Sequence, residues 1–322
     1  MPPRRVIGID AGGTKLLGGV VDEGLVVHHR VHRTWRGADR TETLDIFVEA
    51  VDEVRTAAPD VEAVGFGIPA LVDWERGISR WSTHLPLADV RFLDVMSERL
   101  GLPVVVDNDA NAALLAEARF GAARDCSHAV LVALGTGIGS GLLLDGRIYR
   151  GSRGMGAEIG HMVVDLHGPN CQGVCPGRGC LEVMASGSAI GREGVSAARR
   201  TPTSALGRRL AAGREITGGI VTELAHDGDE AARAVLAEIG RRLGYGLVGV
   251  VNVFNPELIV IGGGAIAAGE LLLEPARAVV AERALPPARE TVHIVPTHFG
   301  DESGMLGAAL LALDALIPTS TP

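Results

Sequence analysis

The chain has 322 residues, enough for two domains with cores of their own. Hydrophobic residues at 47 % and charged residues at 21 % exclude a disordered chain, and a net charge of −9 argues against non-specific nucleic-acid binding, which needs a basic face. Residues 2–5 run straight into a strand pattern and leave no room for a signal peptide, and the apolar stretches are interrupted before bilayer length, so a cytoplasmic protein with reduced thiols and no membrane partner is expected.

In chain order, residues 6–10 read as a strand, 11–15 as a glycine-rich turn, 16–21 and 25–29 as two further strands joined at an Asp/Gly turn. A helix follows over 41–57, with Leu44, Phe47, Val48 and Val51 along one face. Residues 61–68 and 104–106 are short apolar runs that read as buried strands, and 109–120 is a helix rich in Ala and Leu. The opening pattern then repeats: strand 130–134, glycine turn 135–139, strand 141–144, Asp/Gly turn, strand 147–150. Such a repeat means two copies of one α/β unit. Helices over 187–199, 216–226 and 230–253, strands over 258–261 and 292–295, and a last helix over 303–316 complete an α/β fold. The expected division is a small lobe, 1–112, onto which the final helix packs back, and a larger lobe, 113–302, holding a zinc-binding loop at 161–180.

Asp10 closes the first strand, and Gly12 and Gly13 follow it. Backbone amides of such a turn approach a phosphate closely, Thr14 adds a hydroxyl, and Asp10 can hold Mg²⁺ through water. Lys15 is the only lysine of the chain and a compact ammonium for a phosphate. The plainer reading is a hairpin turn. Gly135, Thr136 and Gly137 in the second turn offer another side to the same nucleotide. Neither turn is a Walker A loop. Gly262, Gly263 and Gly264 follow a strand, and Gly262, Gly264 and Ala267 fit a loose dinucleotide fingerprint. No strand ending in an acid lies at the expected distance, so close packing against an adenosine is preferred over a dinucleotide oxidoreductase.

Asn108 and Asp109 stand at the carboxyl end of a strand, where open α/β sheets build sites. Asp109 reads either as a helix N-cap or as a base that takes a hydroxyl proton while Asn108 orients the acceptor. Three of the four cysteines, Cys171, Cys175 and Cys180, fall close behind His161 and complete a tetrahedral Zn²⁺ set. The second ring nitrogen of a zinc-bound His161 needs a partner. A sugar hydroxyl can serve, with Glu158 and Glu182 alongside; otherwise each glutamate is a solvated charge. Cys126 stands apart and reads as a small buried residue.

These motifs, in this order, resemble the ROK family of sugar kinases and repressors: Asp10-Ala-Gly-Gly-Thr-Lys15, Asp107-Asn-Asp-Ala-Asn111, Leu134-Gly-Thr-Gly-Ile-Gly139, Glu158-Ile-Gly-His161, the cysteine block through Glu182, and Ala185-Ser-Gly187. The resemblance implies an actin-like ATPase fold, two ribonuclease-H-like lobes with a nucleotide and sugar cleft between them. It implies an ATP-dependent hexokinase acting on the 6-hydroxyl, glucose foremost, with Asp109 as base. Asn108, Glu158, His161 and Glu182 would contact the sugar, both glycine turns the ATP phosphates, and Gly263 and Gly264 the adenosine. A homodimer is implied, a homotetramer next. Two departures stand out. The family spacing Cys-x-Cys-x4-Cys is widened here to Cys-x3-Cys-x4-Cys, which keeps all thiols on a different loop path. Ser140 replaces a frequent glycine. The alternatives are a kinase for another hexose or an N-acetylhexosamine, a polyphosphate donor, and a sugar-responsive transcriptional regulator. Regulators of this family carry a helix-turn-helix ahead of the kinase-like body, for which a first strand near Arg4 leaves no residues.

Overall fold

The computed structural model describes residues 3–12, 15–35, 37–83 and 85–317. Strands β1 (Arg5–Ala11), β2 (Lys15–Asp22) and β3 (Val27–Thr34) precede helix α1 (Arg40–Ala57) and strand β4 (Val64–Ile68). A hairpin, β5 (Leu71–Asp73) and β6 (Ile78–Trp81), leads to α2 (Phe92–Leu100), β7 (Val104–Asn108) and α3 (Asp109–Phe120). The second series is β8 (Ala129–Leu134), β9 (Ile138–Leu144), β10 (Arg147–Tyr149), then helices α4 (Leu181–Ala185), α5 (Gly187–Arg200), α6 (Ala205–Ala211), α7 (Gly218–His226) and α8 (Glu230–Phe254). It ends with β11 (Leu258–Gly262), α9 (Glu270–Arg283), α10 (Ala288–Thr291), β12 (His293–Pro296) and α11 (Ser303–Ala315).

The two large sheets have the same topology, β3-β2-β1-β4-β7 and β10-β9-β8-β11-β12. In each, an antiparallel three-strand meander is extended by parallel strands on the side of its first strand: β1 pairs in parallel with β4, and β4 with β7; β8 pairs in parallel with β11, and β11 with β12. The repeat read from the glycine turns is thus a repeat of whole sheets. The expected strands 16–21 and 25–29 are longer in the structure, and β3 starts two residues late because Leu25 takes a left-handed conformation (φ 59°) in the turn.

Residue contacts divide the chain into two units. The first holds residues up to Asp125, Gly141–Ala157, and those from His298 on; the second holds Cys126–Ser140 and Glu158–Thr297. A division at residue 112 would cut α3, which runs unbroken to Phe120 with Ala112, Ala113, Leu114 and Ala116 buried. The helix therefore stays whole in the first unit.

In the first unit one face of the sheet packs on α1 and α2 through Trp35, Phe47, Phe66 and Phe92, whose rings meet at 5.1 to 6.1 Å. The other face, with Val6 and Val21, packs on Met305, Leu306, Ala309 and Leu310 of α11. Helix and strands approach closely enough that a Cβ on Gly8 or Gly65 would run into the carbonyl oxygens of Met305 and Ala308. In the second unit the buried strands β8 and β11 are near-continuous Val, Leu and Ile, as a sheet covered on both faces requires. The long helix α8 starts at the Asp229 cap and stops at Asn255, which takes the left-handed conformation (φ 45°) before Pro256.

Candidate active site and metal centre

In the first unit the candidate residues gather at the carboxyl ends of β1, β4 and β7. Asn108, not Asp109, is the N-cap of α3: its Oδ1 accepts from the amides of Ala110 at 2.9 Å and Asn111 at 3.2 Å, while its Nδ2 donates to the Ala70 carbonyl at 3.3 Å. Asp109 thereby becomes the first helical residue, half-buried, with its Oδ1 2.9 Å from the amide of Ala110. The N-cap alternative for Asp109 falls to its neighbour. Gly67 of β4 gives α3 room to start here, since a Cβ at that position would lie 3.3 Å from the Asp109 Cα.

Asp10 ends the central strand, also half-buried. Its carboxyl is pushed up to about 8, first by burial and then by the carboxylates of Asp109 and Asp301. A cation beside these three acids would relieve that repulsion, which fits the Mg²⁺ expectation for Asp10. Gly12 and exposed Lys15 flank the turn; Gly13 and Thr14 lie outside the described residues.

Sequence reasoning missed two supports of this corner. Buried Asp107 accepts from Arg150 Nε and Nη2, both at 2.7 Å, and from Asn111 Nδ2 at 3.1 Å, while the Arg150 guanidinium lies 4.6 Å from the centre of the Trp74 ring. Fully buried Glu117, on α3, accepts from the amides of Ala122, His298 and Phe299 and from Ser303 Oγ, at 2.7 to 3.2 Å. It ties α3 to the segment that carries Asp301. A glutamate in an Ala/Leu-rich helix was the only signal, and nothing in the sequence names its partners.

The second unit builds the metal centre. The ligand atoms of His161, Cys171, Cys175 and Cys180 all lie within 4.8 Å of one another. His161 Nδ1 is 3.6 Å from Cys171 Sγ, and its Nε2 is 3.9 Å from Glu158 Oε2. One ring nitrogen thus faces the thiols and the other a carboxylate. Three thiols and an imidazole suit Zn²⁺, and the Gly177 amide, 3.4 Å from Cys175 Sγ, donates as to a thiolate. Burial pushes the Cys171 and Cys180 thiols up, so binding a metal here releases protons. The widened Cys171–Cys175 loop keeps all three sulfurs together.

Glu182, buried at the start of α4, accepts the Ile138 amide on Oε2 at 2.9 Å and lies 3.8 Å from Cys171 Sγ through Oε1. It joins the metal centre to the turn holding Gly135, Thr136 and Gly137. Glu158 is exposed. Gly263 takes φ 78° and packs on the Leu134 backbone, where any Cβ would collide, whereas Gly264 faces open space. The second unit therefore brings together Glu158, His161, Glu182, the glycine turn and the four metal ligands.

The family model described as the ROK family matches residues 6–315. The chain belongs to the ROK family. It is 34 % identical to a glucokinase of Thermotoga maritima over 96 % of this chain and 97 % of that one. A ROK family glucokinase from Streptomyces griseus, solved in complex with glucose and AMPPNP, superposes with a TM-score of 0.89 at 33 % identity, over 96 % of this chain and 99 % of that one. A ROK family transcriptional regulator, a homologue of the E. coli MLC protein, superposes with a TM-score of 0.85 at 29 % identity, over 96 % of this chain and 78 % of that one. This ROK chain accordingly has the actin-like ATPase fold, in agreement with its two sheets of equal topology. No described helix of the ROK chain is long and apolar enough to cross a membrane.

Proposed function

We propose that this protein is an ATP-dependent glucokinase, transferring a phosphoryl group to the 6-hydroxyl of glucose. The observation that carries the reading is the end-to-end likeness to glucokinases, including one solved with glucose and AMPPNP. Asp109 is assigned as the base that takes the hydroxyl proton. Its position after the Asn108 cap supports this, because the N-cap of α3 is Asn108 and not Asp109. Asn108, Glu158, His161 and Glu182 are assigned as sugar contacts. The turns around Gly12–Lys15 and Gly135–Gly137 are assigned to the ATP phosphates, and Gly263 and Gly264 to the adenosine. Mg²⁺, when bound near Asp10, supplies charge neutralisation on the phosphates; Zn²⁺ on His161, Cys171, Cys175 and Cys180 is structural. A cytoplasmic homodimer completes the proposal.

The test is a coupled ADP-release assay across glucose, mannose, fructose and N-acetylated hexosamines, with ATP and with polyphosphate. Fastest turnover on glucose with ATP is expected; no turnover on any sugar with ATP sinks the reading. Asp109→Ala should bind glucose nearly as the wild type and lose about 10³ in kcat. The likeness to a transcriptional regulator favours a second reading, sugar-responsive DNA binding. A gel shift showing tight, sequence-dependent binding would establish it in place of the kinase.

A further inference from the structure

Gln172 follows the first cysteine of the metal centre, in the stretch where the cysteine spacing is widened. Its Nε2 donates to the Thr136 carbonyl at 3.3 Å and to Ser186 Oγ at 3.0 Å. The Thr136 carbonyl also accepts from Ser188 Oγ at 2.8 Å, and the Gly135 carbonyl from the Gly187 amide at 2.8 Å. Two residues beyond Thr136, the Ile138 amide donates to Glu182, which itself sits against Cys171. Three points of the glycine turn, at Gly135, Thr136 and Ile138, are thus held by Gln172 of the metal loop, by Glu182 and by the segment 186–188.

The direction of these bonds has a consequence. In a trans peptide the C=O and the N–H of one plane point oppositely. Holding the carbonyls of Gly135 and Thr136 on one side turns the amides of Thr136 and Gly137 to the other, as an anion-binding nest requires. We propose that Gln172 is a positioning residue for the phosphate-binding turn, and that the metal centre thereby sets nucleotide affinity as well as holding the sugar-side residues. The inference rests on the reading of this turn as a phosphate site.

The experiment is calorimetric titration of the zinc-loaded protein with Mg²⁺–AMPPNP in the absence of sugar, so that no turnover enters the readout. Gln172→Met keeps the length of the side chain and removes its donors. Its Kd for AMPPNP should rise about five- to tenfold, the range of one lost hydrogen bond, with zinc content unchanged and the Kd for glucose within about twofold of the wild type. Wild-type AMPPNP affinity in a metal-replete Gln172→Met protein overturns the proposal. Equal losses for glucose and AMPPNP also overturn it, because they indicate a merely structural role. Should the Met side chain cost the metal, Gln172→Asn, which keeps the amide but falls short of Thr136, must show the same selective loss. A wild-type protein that takes no AMPPNP at all removes the phosphate reading itself, and the inference with it.

Discussion

Asn108 carries two duties that single substitutions can separate. Its Oδ1 caps α3, and its Nδ2, now on the Ala70 carbonyl, belongs to the set assigned to the sugar. Serine caps helices about as well as asparagine, so Asn108→Ser should keep the stability within about 1 kcal/mol of the wild type while raising the KM for glucose roughly tenfold. Steady-state kinetics beside a thermal melt checks both halves. Asp22 offers a pH prediction. Burial alone would raise its carboxyl, but the hydrogen bond from His28 and the amides of Val26 and Gly24 outweigh burial and hold it below the usual carboxylate value. A depressed folded-state value contributes stability above the unfolded pKa, near 3.9, and loses it as pH falls through the folded value. Asp22→Asn should therefore be less stable than the wild type at neutral pH and lose that deficit below about pH 4. Denaturant midpoints measured across that range would show convergence; a constant gap would refute the assignment.

At the scale of elements, Glu117 shows what a sequence does not tell. The boundaries of α3 were legible from its composition, and the structure places the helix over the expected residues. That Glu117 would gather three of its four donors from a turn and a helix start some 180 residues later was not legible, because no local pattern specifies a long-range partner. Arg150 is the same case, a strand-end arginine whose buried carboxylate lies in another element. The metal centre is the opposite case. Cysteine and histidine are chosen for one chemistry, so His161, Cys171, Cys175 and Cys180 could be grouped from spacing alone, and their ligand atoms do cluster. The hairpin β5–β6 and helix α2 were missed, being short and without clear periodicity. Glu117→Gln keeps the shape but turns an amide NH₂ toward donors. The cost should be about 2 kcal/mol, the penalty for a buried polar group left unmatched. Thermal unfolding followed by circular dichroism would measure it, and an unchanged midpoint would show that the carboxylate is not the tie between α3 and the 298–303 segment.

At the scale of the molecule, the repeat of the two sheets was readable because glycine turns and strand alternation are local, whereas the completion of the first unit by the last helix depends on packing between chain ends. The small residues of α11 make that packing close. Gly304, Gly307, Ala308, Ala309 and Ala312 form a helix face without bulk, and the glycines Gly8 and Gly65 on the sheet complement it. A methyl on Gly65 would meet the Ala308 carbonyl, a backbone atom that cannot rotate away. Overpacking of this kind costs about 1 to 3 kcal/mol, and Gly65→Ala should fall at the upper end because strand and helix must separate together. The measurement is unusually clean in this chain. Its three tryptophans, Trp35, Trp74 and Trp81, all lie in the first unit, so tryptophan fluorescence follows that unit while circular dichroism follows the whole. If α11 closes the first unit as its contacts indicate, Gly65→Ala shifts the fluorescence transition to lower denaturant and separates it from a circular dichroism transition that retains the second unit. Coincident transitions at the wild-type midpoint would mean that the helix yields at no cost, and that the close approach of α11 to β4 does not hold the unit together.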